Sequence, residues 1–272
     1  MNIGRYFTDG AKTVDRKLAE ILPPGKVYPS VIHEAMRYSV FSGGKRIRPL
    51  LALASAEVCG KKTEKALLPA CAIELFHTYS LIHDDLPCLD NDNYRRGKPT
   101  CHKKFGEANA VLAGDALLTL GFQTLGMIPD AGVSRRLVFE IARAIGTNGM
   151  IGGQVVDKET EGKEKDLPLL DYINVNKTGQ LIRVSCLAGA VAVGAGKREE
   201  LALSRFGEHL GIAFQVIDDI IDRNGYLKLM SETEARRKAE ASTEKAKSFL
   251  QLFGKKADTI KEIADFILTR KY

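Results

Sequence analysis

The chain has 272 residues, of which 44% are hydrophobic and 27% charged; this supplies a substantial core and excludes a disordered or low-complexity protein. A formal charge of +6 suits an anionic partner, whether nucleic acid, a membrane surface or a phosphorylated small molecule. The first twenty residues carry charges throughout and resemble no secretion signal. The longest weakly polar stretch, Val184 to Ala195, falls short of the ~20 apolar residues a bilayer span requires, so no membrane span and a cytoplasmic location are expected. The five cysteines (Cys59, Cys71, Cys88, Cys101, Cys186) are scattered and form no CxxC pair, which argues against a disulfide framework. A metal site joining Cys88, Cys101, His102 and His83 is not expected either, because thiolate sites normally show tight Cys spacing.

In chain order, helical periodicity runs through about 30–42 and 47–59, and then through Leu68, Cys71, Ala72, Leu75, Phe76, Tyr79 and Ile82, one face of a helix that ends in an acidic run. Further helical patterns cover about 104–125, 133–151, 168–190, 199–222, 232–252 and 256–270. Pro23, Pro24, Pro29, Pro99, Pro129 and Pro168 fall between these segments, where helices start or stop. No convincing alternating strand and no internal repeat is found. The expectation is one all-α domain over residues 1–272, a bundle of roughly ten helices.

The acidic run, HDDLPCLDND, supplies Asp84, Asp85 and Asp90, with Pro87 placed to end or bend the helix so that Asp90 turns back. A second cluster, FQVIDDIID, supplies Asp218, Asp219 and Asp222; the i, i+4 spacing puts Asp218 and Asp222 on one face, among apolar neighbours. Bare carboxylates there are costly unless something positive neutralises them. Salt bridges would do so, and Mg²⁺ would do so better: it takes hard oxygen ligands and is commonly bound by one or two carboxylates plus substrate phosphates. Cations suited to phosphate follow in Gly43-Gly44-Lys45-Arg46-Ile47-Arg48-Pro49, in Arg95 and Arg96, and in Lys177-Thr178. Neither GGKR nor GAGKRE has the spacing of a nucleotide-binding P-loop.

Five motifs in order, GGKRIRP, HTYSLIHDDLPCLDNDNYRRGKPTCHKKFGEANAVLAGDALL, GGQVVD, KTGQL and FQVIDDIID, resemble the trans-isoprenyl diphosphate synthase family over nearly the whole chain. The resemblance implies antiparallel helices around a deep central cavity and a homodimer. It implies that Asp84, Asp85 and Asp90 face Asp218, Asp219 and Asp222, with Mg²⁺, three ions in all, holding an allylic diphosphate that Arg95, Lys177, Thr178 and Gln215 also contact. Isopentenyl diphosphate would sit on Lys45, Arg48, His77 and Arg96, although His77 on an apolar helix face reads equally as a core histidine. Ionisation of the allylic C–O bond, attack by the double bond of isopentenyl diphosphate and loss of a proton would follow, with no protein nucleophile. Tyr79 lies five residues before Asp84, about 7.5 Å along a helix. An aromatic there, beside Ser80, resembles the chain-length stop of bacterial farnesyl diphosphate synthases. So does the longer spacing from Asp85 to Asp90. A C15 product is therefore expected, with C20 as runner-up and plain helix packing as the other role for Tyr79.

The pattern breaks after Asp222, where the family carries a Gly- and Lys-containing loop and this chain runs directly into RNGYLKLMSETEARRKAEAS. Either the loop is absent or the sequence skips a mobile segment between about Asp222 and Tyr226; the second is the expectation here, since active-site loops are often mobile. Lys228 does not inherit the missing lysine's role. A class I terpene cyclase needs no second diphosphate site, which Lys45, Arg48 and Arg96 argue against. A catalytically silent partner subunit would tolerate decay of the acidic clusters, and both are intact. A nucleic-acid-binding module is disfavoured, because carboxylates interleave its basic residues.

Overall fold

Amphipathic stripes decide the architecture, which we describe from a computed structural model for residues 3–60 and 62–270. Those residues form thirteen α-helices joined by short 3-10, turn and π-helical pieces, so the all-α expectation holds. A single two-residue antiparallel ladder, β1 (Tyr94–Arg95) with β2 (Lys98–Pro99), is the one pairing of strands among them. No described helix is long and apolar enough to cross a membrane.

The chain divides into two compact units. One comprises Gly4–Leu50 and Leu67–Ser134. Its centre is α4 (Leu67–Asp84), packed along α6 (Glu107–Gly126), with α2 (Ser30–Val40) and the short α5 (Cys101–Phe105) beside them. Eleven of the eighteen residues of α4 are buried, so this helix is apolar on nearly every side and its polar groups need internal partners. Helix α1 (Ile3–Ile21), which the sequence reading leaves out, buries only Phe7, Val14 and Leu18. Charges on every other side of that thin stripe hide its period.

The other unit is built from Leu51–Ala66 and Arg135–Tyr272. Its spine is the 26-residue α11 (Lys197–Asp222), against which α10 (Gln180–Ala192), α12 (Glu232–Ser248) and α13 (Asp258–Thr269) pack. The pattern read as one helix over 133–151 is two, α7 (Ala131–Ile145) and α8 (Met150–Glu159), broken across Gly146 to Gly149. The pattern over 168–190 is α9 (Leu167–Asn174) and α10, joined by a π-helical stretch, Val175–Gly179, that contains Lys177 and Thr178. Helix α3 (Ile47–Val58) starts in the first unit and continues in the second.

Candidate active site

In the first unit, α4 ends at Asp84, three residues before Pro87. The chain then coils back: the Asp90 N–H donates to the Asp84 carbonyl at 2.9 Å, and the Asn91 N–H donates to Leu86. The return of Asp90 towards the first two aspartates thus holds at the level of the backbone. The β1–β2 ladder follows, and Arg96 at its tip takes the left-handed φ of 54° that a tight hairpin turn demands. Thr100 pins the base of the ladder by donating its hydroxyl to the Asp92 carbonyl at 2.7 Å.

This hairpin returns Arg95 to the helix end. Its Nε donates to both oxygens of Asp85, at 2.8 and 3.0 Å, and its Nη2 donates to Oδ1 at 2.5 Å. Asp85 is 3% exposed, and burial pushes its carboxyl above the usual range, against the pull of Arg95. Burial would lower Arg95 in turn, but Asp85 outweighs it and holds the guanidinium charged.

A second group gathers on His77, deep in α4. Arg48 Nη1 lies 3.4 Å from His77 Nε2, and Arg96 donates to the Gly43 carbonyl. Burial first, and then the charges of Arg48, Arg96, Arg95 and Arg46, drive the imidazole well below its ordinary pKa, so His77 is neutral. Lys45 is exposed. Arg46, between Lys45 and Arg48 in sequence, points elsewhere and donates to Asp15 at 2.8 Å, to Glu74 at 2.6 Å and to the Val40 carbonyl, with both Arg46 and Glu74 buried. Tyr79 is 4% exposed, its hydroxyl is buried without a hydrogen-bond partner, and its ring meets His83 edge-on at 5.8 Å. Burial, and then the charge of Asp84, pushes its phenol up to about 12. Ser80 donates to the His77 carbonyl at 2.9 Å.

In the second unit, α11 delivers Asp218, Asp219 and Asp222 on its last turns. Asp218 is met by Arg270, whose guanidinium also stacks 3.8 Å above the Phe214 ring. Asp219 is 8% exposed and accepts from Gln215 Nε2 at 2.9 Å and from the Tyr226 peptide N–H at 3.0 Å. Burial pushes its carboxyl up, and the charges of Asp222 and Asp157 add to that. Asp222 is exposed. The chain is continuous from Asp222 to Tyr226: Arg223 takes φ 52°, the Asn224 N–H caps the Asp219 carbonyl at 3.0 Å, and a 3-10 turn, Gly225–Lys228, follows. Tyr226, fully buried, then donates its hydroxyl to Asp171, which Lys238 also holds at 3.0 Å. A short, anchored turn therefore stands where the sequence reading expects a skipped mobile segment.

Lys177 reaches Asp157 Oδ2 at 2.9 Å, while Lys165 takes Asp157 Oδ1 at 2.6 Å. Burial would raise Asp157, but the two ammonium groups outweigh it and hold its carboxyl below the usual range. Helix α8 approaches this point closely: a Cβ on Gly153 would lie 2.3 Å from the Lys177 peptide nitrogen. One turn before Asp157, both amide atoms of Gln154 are buried without a partner. Thr178 is half-buried. The sequence reading does not single out Gln154, Asp157 or Lys165, although GGQVVD contains the first two.

The donor set fits Mg²⁺ in chemistry. It offers hard carboxylate oxygens, among them those of Asp85 and Asp219, whose burial pushes their carboxyls above the usual range. It is not pre-gathered: among the described residues no three His, Cys, Asp or Glu side chains stand together as a metal site. Asp85 and Asp218 are instead drawn to Arg95 and Arg270.

Residues 29–265 match the Polyprenyl synthetase family. The chain belongs to that family. By that membership it is a prenyltransferase. It is 38% identical to a farnesyl diphosphate synthase from Bacillus subtilis, over 98% of each chain. It is also 38% identical to a geranylgeranyl diphosphate synthase from Cyanophora paradoxa, over 99% of this chain and 97% of that one. Among solved structures, an FPP/GFPP synthase from Zymomonas mobilis superposes with a TM-score of 0.93 at 40% identity, covering 98% of this chain and 99% of the other. The two sequence alignments extend over 290 and 293 residues against a chain of 272, so this polyprenyl synthetase lacks residues that those relatives carry.

Proposed function

We propose that the chain condenses isopentenyl diphosphate with an allylic diphosphate, dimethylallyl or geranyl, to give farnesyl diphosphate. The observation that carries this reading is Arg48 Nη1 standing 3.4 Å from Nε2 of a neutral His77 that also feels the charge of Arg96, which offers a second diphosphate cations of its own. A cyclase, which handles one diphosphate, has no use for them.

Asp84, Asp85 and Asp90, and likewise Asp218, Asp219 and Asp222, are the residues that would hold Mg²⁺. When bound, the ion neutralises charge on the diphosphate leaving group. Arg95, Lys177 and Gln215 add hydrogen-bond donors to the allylic diphosphate, with Thr178 beside them, and favour its departure with both C–O bonding electrons. The double bond of isopentenyl diphosphate, held by Lys45, Arg48, His77 and Arg96, attacks the allylic cation and forms the new C–C bond. Loss of a proton to the released diphosphate restores a double bond. The reaction requires that water be kept from the site, since water would quench the cation. The chain acts as one catalytic domain over residues 1–272, as a homodimer in the cytoplasm.

Buried Tyr79, with Ser80 next to it, supports a C15 stop. A C20 product is the second reading, favoured by the likeness to geranylgeranyl diphosphate synthases. A silent partner subunit is disfavoured by two intact acidic motifs. The test is incubation of the protein with isopentenyl diphosphate, dimethylallyl or geranyl diphosphate and Mg²⁺, with product length read by mass spectrometry. A C15 product supports the reading, C20 keeps the enzyme and removes the stop, and no elongation sinks both.

A further inference from the structure

Asp157 holds a different lysine on each of its two oxygens, Lys165 on Oδ1 at 2.6 Å and Lys177 on Oδ2 at 2.9 Å. One negative charge between two positive ones leaves a net cation, and each ammonium keeps two further N–H donors. All three side chains are about a quarter exposed, at 24, 26 and 28% for Lys165, Lys177 and Asp157, so the pair is reachable by a ligand yet held in place.

The backbone fixes both lysines. Lys165 immediately precedes Asp166, which caps α9 by accepting from the Leu169 N–H at 2.9 Å. Lys177 lies in the π-helical stretch, a local irregularity that often marks functional positions, and Gly153 lets α8 close upon it. The unpartnered amide of Gln154, one turn from Asp157 on the same helix, is a further polar group with donors and acceptors to spare.

From this geometry we infer that Lys165 is a diphosphate-binding residue, the second arm of a two-lysine clamp that Asp157 spaces and that takes the allylic diphosphate. The inference rests on the synthase reading above and adds to it a cation that no motif in the sequence marks. An arriving diphosphate competes with Asp157 for both ammonium groups and takes up their remaining donors, a charge-assisted arrangement stronger than neutral hydrogen bonding.

The test uses the full chain and inorganic pyrophosphate as the probe, titrated calorimetrically with and without Mg²⁺, into wild type, K165M and K165R. K165M is expected to weaken pyrophosphate binding about tenfold and to raise KM for the allylic diphosphate by a similar factor, the loss of one charge-assisted contact. KM for isopentenyl diphosphate stays within about twofold, kcat falls because a cation on the leaving group is lost, and K165R restores most of both losses. Unchanged pyrophosphate affinity in K165M overturns the inference alone, provided wild type binds the probe and elongates substrate. Equal losses for both substrates, unrescued by K165R, also overturn it, since they mark a purely structural residue. A wild type that neither binds pyrophosphate nor elongates overturns the synthase reading together with it.

Discussion

The Tyr226 peptide N–H donates to Oδ2 of Asp219 at 3.0 Å, and the residue between them in the turn, Gly225, has no room for a side chain. A Cβ at Gly225 would stand 1.9 Å from that oxygen, and φ there is +53°, a conformation L-residues adopt at a cost. The short turn after α11 thus orients one carboxylate of the second acidic motif. G225A must push the carboxylate or the turn aside. Because a shift of about 1 Å at a reacting centre can cost on the order of 100-fold, G225A is expected to lose about that much in kcat/KM and to need more Mg²⁺ for half-maximal rate. Steady-state kinetics across Mg²⁺ concentrations, with circular dichroism to verify folding, check this. Wild-type Mg²⁺ dependence in G225A would remove the orienting role.

The Arg95–Asp85 pair makes a different kind of prediction. Asp85 is 3% exposed, so R95Q leaves a buried carboxylate without its cation, and the unfolding free energy should fall by about 2 kcal/mol. D85N in the same chain removes the uncompensated charge, so R95Q with D85N should be more stable than R95Q alone. Urea unfolding of the four proteins of this cycle measures the coupling. A coupling near zero would mean that Arg95 contributes to ligand binding alone.

Why some of this is readable in the sequence and some is not follows from distance along the chain. The period of α4 and the acidic residues at its end are local, and so is Pro87, which marks where the helix stops. Lys45, Arg46 and Arg48 look alike in GGKRIRP, yet Arg46 goes to Glu74, 28 positions away, because a buried glutamate on α4 needs a cation. Arg270 reaches Asp218 across 52 positions, and Lys177 reaches Asp157 across 20. No local pattern records such pairings. The break between α7 and α8 and the π-helical stretch before α10 are backbone adjustments that a helical period passes over. Helix α1 hides for the opposite reason, since its period is present but only three residues carry it.

His77 supplies a pH signature. Its folded pKa lies well below 6.5, through burial and then neighbouring arginines, whereas the unfolded chain protonates near the ordinary value of about 6.5. Between the two values the unfolded state binds the additional proton, so stability rises with pH across that window and is flat above it. As pH falls below about 6.5, His77 should cost the protein up to about 1.4 kcal/mol per pH unit. H77N removes this contribution. The difference between wild-type and H77N unfolding free energies, followed from pH 7 downward, should therefore narrow or reverse in favour of H77N. A constant difference would place the imidazole in an ordinary, hydrated setting.

Tyr79 separates packing from chain-length control. Its hydroxyl is buried without a hydrogen-bond partner, so Y79F removes an uncompensated polar group while keeping the ring. Y79F should leave product length unchanged and gain up to about 1 kcal/mol of stability. Y79A removes the ring as well; deleting a buried aromatic side chain costs about 3–5 kcal/mol, and if the ring stops the growing chain the product should lengthen from C15 to C20 or beyond. Assays below the lowered melting temperature, with mass spectrometry of the products, separate the two effects. A stability loss without any change in product length would assign Tyr79 to helix packing. Longer products from Y79A, with Y79F matching wild type, would assign the stop to the volume of the ring rather than to its hydroxyl.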